Sequence, residues 1–528
     1  MTSIQDNNRK WRSLKLRNPK YLLMLTLVFL TSFYILNESS IFSTSAWPPE
    51  EIPAEIPEEI PKEITKSSDS SQPTSLPIES DDTSVPESSS QPEPTPFAYL
   101  PPADYGTSYR DRIDNKGNYI VPKGPSPPGE KYIAYLPHNQ FNNQRIALEN
   151  AILLAHYTNR TLILPYVYFG RRNMWKHFDT LYAQNINNNT KEHLEHCVKY
   201  IGEVDKSKVP VECRRYDAWT TMPWDHLFGD LPDFFEREGV KVISTMNISI
   251  EWIMAKTGVN REDFHYFKDG VYYGAKIYDD PSSTTSRGRF RARLNLSDFM
   301  EIPHRVVYFE SMYGIGRVAH EVKEHKEFFT RMIKSMTVTY DGVLPVADKI
   351  IAQLGGRQSY VGIHVRVSDG FFSRNRDANI KNIVRQINAF VNSSGSSFET
   401  SPSTDFTTTD ECLTSYTNST NMPLIYMATD LHGTRKHASY APLYKAFPCI
   451  AVLDDFTPFL SGLDNIVNEV DKMPMKKFLI PLVDMVVAAK GKTFVGTARS
   501  TFSNFAFRLH KIYIEGMAAF EDSKIYAG

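Results

Sequence analysis

Four short segments of this 528-residue chain carry residue types that could bind or frame an anionic ligand. GIHVRVSD, residues 362–369, ends an apolar run with His364, Arg366 and Asp369. A guanidinium is planar and permanently charged, and its fork matches two phosphate oxygens. Residues two apart in a strand share a face, so His364 and Arg366 point to one side. Asp369 could orient Arg366 by an ion pair; the alternative is an Arg–Asp pair that only closes a strand end. HNQFNNQR, residues 138–145, falls between a strand end and a helix start. There Asn142 and Asn143 can expose amides, and free N–H groups at a helix start attract an anion. The alternative is a polar turn with an Asn cap. In FLIPLVDMVVAAK, residues 478–490, Asp484 interrupts an apolar helical run. Facing inward, it needs a partner; the alternative is an exposed helix face. In FVGTARSTF, residues 494–502, Ser500 and Thr501 follow a strand and open a helix. That is a second phosphate position, or a helix cap.

These segments need elements to hold them. YIAYL at 132–136 reads as a strand, 137–143 as a loop, 145–157 as a helix and 162–164 as a second strand. That is a βαβ start. Residues 241–244 and 305–309 add strands, and 185–189 and 282–293 read as polar loops. Helical sequence at 326–351 opens a second half. Strands follow at 360–365, 424–428, 449–453 and 494–496, separated by helices near 379–391, 440–446, 476–490 and 501–512. Short apolar strands alternating with helices imply parallel sheets covered on both faces. Two such halves, 125–330 and 331–528, frame a cleft, with 393–421 as a Ser/Thr-rich loop insertion. In open α/β sheets, ligands bind beyond the carboxyl ends of the strands. The motifs above fall there.

The remainder of the chain is an address and a tether. Residues 21–36, YLLMLTLVFLTSFYIL, are uncharged and follow a basic segment, 1–20, with six Lys or Arg residues and one opposing Asp6. Basic flanks stay cytosolic, which makes the run a type II signal-anchor and the bulk lumenal. A cleaved signal peptide is the competing reading. Residues 37–104 are largely Pro-, Glu- and Ser-rich, with Glu-Ile-Pro repeats, and read as a disordered stem. Seven Asn-x-Ser/Thr sequons, at Asn37, Asn159, Asn188, Asn247, Asn295, Asn392 and Asn418, fit an endoplasmic reticulum or Golgi lumen. Four cysteines suit an oxidising compartment. The nearest pairs in sequence are Cys197 with Cys213 and Cys412 with Cys449. No zinc-type spacing occurs, so no metal is expected. Lys and Arg total 59 against 61 Asp and Glu, which gives no basic excess for nucleic acid.

The segments, in this order, resemble the GDP-fucose O-fucosyltransferase superfamily, including fungal and plant members. The resemblance rests on Phe141–Asn142–Asn143 after the first strand, His364–Val365–Arg366 at a strand tip, Asp484, and Thr501–Phe502 opening a helix. It spans residues 130–515. It implies a GT-B-like fold of two Rossmann-like domains. It also implies a GDP-fucose donor, an inverting mechanism without a metal cofactor, and a protein or glycan acceptor. By the same resemblance Arg366 is the catalytic residue, and Phe141, Asn142, Asn143, His364, Arg366, Asp484, Thr501 and Phe502 contact the donor. Departures exist. Asn142 stands where protein O-fucosyltransferases often have Gly, and Val367 replaces a second arginine. A transferase for another nucleotide sugar and a non-catalytic nucleotide-sugar-binding protein are the rival readings.

Overall fold

Two runs of buried apolar strands build two parallel sheets. The computed structural model describes residues 112–170, 174–187, 191–268, 273–368, 370–393, 409–418 and 423–516. The chain divides into two compact units, Met1–Glu93 and Pro94–Gly528, and all described residues belong to the second. The expected anchor at 21–36 and stem at 37–104 lie outside the described residues, as do Asn37 and Asn188. Among the described residues no helix is long and apolar enough to cross a membrane.

The first half runs β1 (Tyr132–Tyr135), α1 (Phe141–Thr158), β2 (Thr161–Pro165), β3 (Val167–Gly170), β4 (Trp219–Met222), β5 (Val242–Thr245), β6 (Phe264–Phe267), β7 (Ala275–Tyr278), β8 (Ala292–Asn295) and β9 (Val306–Phe309). Five of these strands form a parallel sheet in the order β5-β2-β1-β9-β6. Strands β1, β2 and β9 are buried throughout, as double-sided cover requires. β3 with β4, and β7 with β8, are separate two-stranded ribbons. α1 ends on Asn159, whose left-handed φ of 48° lets its N–H reach the Ala155 and His156 carbonyls. Asn is one of the few side-chain-bearing residues that tolerates this region.

The second half has α2 (Lys323–Ser335), α3 (Leu344–Gln353), β10 (Val361–Val365), α4 (Arg376–Ser393), β11 (Ile425–Thr429), β12 (Ile450–Val452), α5 (Lys476–Ala489), β13 (Thr493–Gly496) and α6 (Thr501–Glu515). Its sheet is parallel, in the order β12-β11-β10-β13. Gly362 is required here. A Cβ at that position would overlap the Ala488 carbonyl, so α5 lies directly on the β10 backbone. The other face of β10 packs Ile363 and Val365 against Ile383 and Ile387 of α4.

One apolar core runs through both halves, from Ile133, Leu148 and Phe309 to Val486, Phe494 and Phe505. Residue 330, the expected division, falls inside α2. Three loop expectations change. Residues 185–187 close a helix, Phe178–Asn187. Residues 292–293 begin β8. The 393–421 insertion contains a helix, Thr409–Asn418, whose Cys412 is bonded to Cys449 beside β12. The other expected disulfide, Cys197–Cys213, is also formed.

Candidate functional site

Each sheet has one place where the chain changes direction along it. In the first sheet the chain leaves β1 for β2 on one side, and β9 returns to the other side. In the second it leaves β10 for β11, and β13 returns to the opposite side. Such switch points leave a crevice beyond the strand ends. His138 to Asn143 follow β1, and Arg366 and Thr497 to Phe502 follow β10 and β13. The sequence-selected segments therefore occupy both switch points.

At the second switch point, His364 is buried, and its ring stacks on Phe502 at 4.2 Å. His364 Nδ1 and the Ser503 hydroxyl share a hydrogen bond of 2.6 Å. Burial pushes the His364 pKa down to about 3, helped by Arg366 and opposed by Asp430. The ring is thus neutral at working pH, and it fixes the start of α6 against β10. Arg366 is half-buried, with its guanidinium 4.5 Å from the Phe372 ring centre. Its N–H donates to Thr497 Oγ1 at 2.9 Å, and the same hydroxyl donates to the His364 carbonyl at 3.0 Å. Thr497 therefore ties the ends of β10 and β13 together. Asp430, just beyond β11, accepts from the Val367 and Ser368 N–H groups, each at 3.1 Å, and from the Ser368 hydroxyl. Asp369 lies outside the described residues. The carboxylate seen to shape this loop comes from the neighbouring strand.

Ser500 caps α6 by accepting from the Ser503 N–H, so its cap reading holds. Thr501 and Phe502 follow in the first turn, both half-buried.

Asp484 is buried on α5, the helix that covers β10 and β11, and accepts from the Tyr426 hydroxyl at 2.7 Å. An exposed helix face is excluded. Burial pushes its carboxyl up to about 7, against the hydrogen bonds from Tyr426 and the Thr429 backbone; Asp454 adds to the rise and His432 opposes it. The folded pKa stands above the unfolded value of about 4, so the folded chain keeps a proton that the unfolded chain releases. This stability is complete below about pH 4 and is lost as pH rises towards 7. Asp484→Asn keeps an acceptor for Tyr426 and removes the titration. Its melting temperature should gain on wild type between pH 5 and pH 8, by an equivalent of about 2.5 kcal/mol, because the first part of the titration lies below pH 5. Parallel melting curves across that range would rule the buried titration out.

In the first half, α1 begins earlier than expected, so Phe141, Asn142 and Asn143 form its first turn rather than a loop. Phe141 sits 6.0 Å from Phe169, 5.9 Å from Trp224 and 6.3 Å from Phe505 of α6. It thus joins the two halves through aromatic packing. Asn142 and Asn143 are half-buried, and neither side chain makes a hydrogen bond among the described residues; Asn142 Oδ1 is buried. Before the helix, His138 Nε2 meets the Ser311 hydroxyl at 2.7 Å, joining the loops after β1 and β9. Gln144 braces the turn by donating to the Asn139 and Tyr168 carbonyls, both at 3.1 Å.

Helices α1 and α6 then bring the two switch points together. Glu149 of α1 accepts from Arg145, one turn earlier, and from Arg508 of α6. His364, Arg366, Thr497 and Phe502 form one group, and Asn142 and Asn143 lie in the first turn of α1, which packs on α6. Asp484 ties α5 to β11 through Tyr426. Sequence reading missed Thr497, Asp430 and Ser503. Thr429–Asp430 at a strand end was the available signal for one of them.

No family model matches this chain, and no curated protein matches it. Among solved structures, the crystal structure of POFUT1 in complex with GDP-fucose is 12% identical with a TM-score of 0.34, covering 74% of this chain and 96% of that one. POFUT1 in complex with GDP is 13% identical with a TM-score of 0.33, covering 73% and 96%. A mutant of Arabidopsis thaliana FUT1 in complex with GDP is 12% identical with a TM-score of 0.30, covering 76% and 71%. These three likenesses are at low identity and low TM-score.

Proposed function

We propose that this chain is a glycosyltransferase that moves fucose from GDP-fucose to a hydroxyl of a protein or glycan acceptor, with inversion and without a metal cofactor. The observation that carries the reading is the convergence of His364, Arg366, Thr497 and Phe502 at one switch point, with α6 joined to the first turn of α1 through Phe505 and Phe141. The ordered motifs supply the choice of donor. Arg366 binds the diphosphate and neutralises the charge that develops as the bond from the anomeric carbon to GDP breaks. The acceptor oxygen attacks that carbon from the opposite face and loses its proton. Neutral His364 holds Phe502 and the α6 start in place. Glu149, engaged by two arginines, is not the proton acceptor. Residues 1–36 anchor the chain as a type II protein of the endoplasmic reticulum or Golgi, with the α/β unit lumenal.

The test is ligand-induced thermal shift of the full-length protein in detergent, with GDP, GDP-fucose, GDP-mannose and UDP-sugars, with and without EDTA. GDP and GDP-fucose should raise the melting temperature whether or not EDTA is present, because a ligand that binds only the folded state stabilises it. A shift with UDP-sugars alone would replace the donor. No shift with any guanine nucleotide would overturn the reading. A shift without transfer to any acceptor would favour a non-catalytic binder.

A further inference from the structure

Arg499 has a left-handed backbone, with φ of 65°. A side chain other than Asn, Asp or Gly is disfavoured there, and glycine is the residue such a position favours. The residue is nevertheless an arginine, exposed, at the centre of the β13–α6 turn. Its guanidinium lies 4.9 Å from the Phe371 ring centre. The adjacent Phe372 carries Arg366 at 4.5 Å, and the two rings meet edge to face at 5.6 Å. The backbones converge as well, because Thr497, two residues before Arg499, holds the Arg366 N–H at 2.9 Å. Two guanidinium groups are thus aimed over one aromatic pair at the mouth of the second switch point. A diphosphate bound at this mouth would meet two planar, permanently charged forks. Stacking on an aromatic ring restricts each guanidinium plane.

We infer that Arg499 is a second phosphate-binding residue that shares the nucleotide diphosphate with Arg366. This rests on the nucleotide-sugar reading above and extends it. The chain lacks a second arginine next to His-x-Arg, at Val367, and Arg499 supplies that charge from the turn after the neighbouring strand β13. One arginine reaches across from β10 and the other from the β13 turn. The β-phosphate, which only a diphosphate has, lies between them.

The inference is tested with full-length protein by measuring GDP and GMP affinity for wild type, Arg499→Gly, Arg499→Asn and Arg366→Ala. Glycine relieves the left-handed backbone and asparagine tolerates it, so both Arg499 variants should melt at or above the wild-type temperature. Both should lose GDP affinity by about tenfold to a hundredfold, as one charge-assisted contact is removed. GMP affinity should change far less, so the preference for GDP over GMP should collapse. A purely structural arginine would leave that ratio untouched. Unchanged GDP affinity and an unchanged ratio in both Arg499 variants, with Arg366→Ala impaired, would overturn the role of Arg499 and leave the donor reading standing. Absence of guanine-nucleotide binding in the wild type would overturn both.

Discussion

Arg366→Ala is expected to lower transfer from GDP-fucose by about 10²–10³-fold, equivalent to roughly 3–4 kcal/mol of transition-state stabilisation. The folded chain should tolerate the change. The Arg366 N–H bond to Thr497 is made by the backbone and survives the substitution. The loop beyond it is held by Asp430 through the Val367 and Ser368 N–H groups, which also remain. What disappears is a fixed positive fork beside Phe372. Charge on the diphosphate grows as the sugar leaves, so the loss should fall more on kcat than on KM. Arg366→Lys keeps the charge without the planar fork and should recover only part of the rate. Thr497→Val is the matching control: it removes the hydroxyl that ties β10 to β13 while leaving the guanidinium in place. Steady-state rates for the three variants, measured beside their melting temperatures, separate charge from support. Transfer by Arg366→Ala within about threefold of wild type would remove this residue from the leaving-group role, since a single electrostatic contact of that kind is worth far more.

The contrast between Arg366 and its supports explains what the sequence could reveal. A His and an Arg at the tip of an apolar strand are local in sequence, and period-two alternation places them without further information. Helix α1 was readable for the same reason, up to its first turn. Its start shifted because Phe141 is drawn into an aromatic cluster supplied by Phe169, Trp224, Phe228 and Phe505, which lie far apart in the chain. Thr497 and Asp430 could not be ranked above other polar residues near strand ends. Their importance comes from strand order, since β13 and β11 flank β10, and no local pattern states that order. Asp484 was visible as a carboxylate in an apolar helix. Its partner Tyr426 became identifiable only when β11 was seen beside β10, opposite Gly362. The β7–β8 ribbon escaped because Lys276, Arg293 and Asn295 interrupt its apolar residues, whereas β1 and β9, equally short, are apolar throughout.

Glu149 marks the farthest reach of this non-local logic, because its second partner is Arg508, 359 residues away. Glu149, Arg145 and Arg508 are exposed by only 5%, 0% and 1%. Burial alone would raise the Glu149 carboxyl, but the two guanidinium groups outweigh it and hold the group below the ordinary carboxylate range. The carboxylate is therefore the counter-charge for two buried cations at the seam between α1 and α6. Glu149→Gln should cost about 3–5 kcal/mol, because removing one member of a buried ionic group leaves uncompensated charge behind. Denaturant midpoints at constant slope would report the loss. Arg508→Met should cost less, since Arg145 and Glu149 remain paired within α1. The triple change of Arg145→Met, Glu149→Leu and Arg508→Met should recover much of the loss, because apolar side chains of similar volume carry no desolvation penalty. Such non-additivity is the signature of a shared charge cluster, and additive costs would refute it. The triple variant also asks a functional question. Helices α1 and α6 begin at the two halves of the site, with Asn142–Asn143 on one and Thr501–Phe502 on the other. If the ionic seam sets their relative position, the triple variant should regain stability while its GDP-fucose transfer stays low. If packing of Phe141 on Phe505 is enough, stability and transfer should return together.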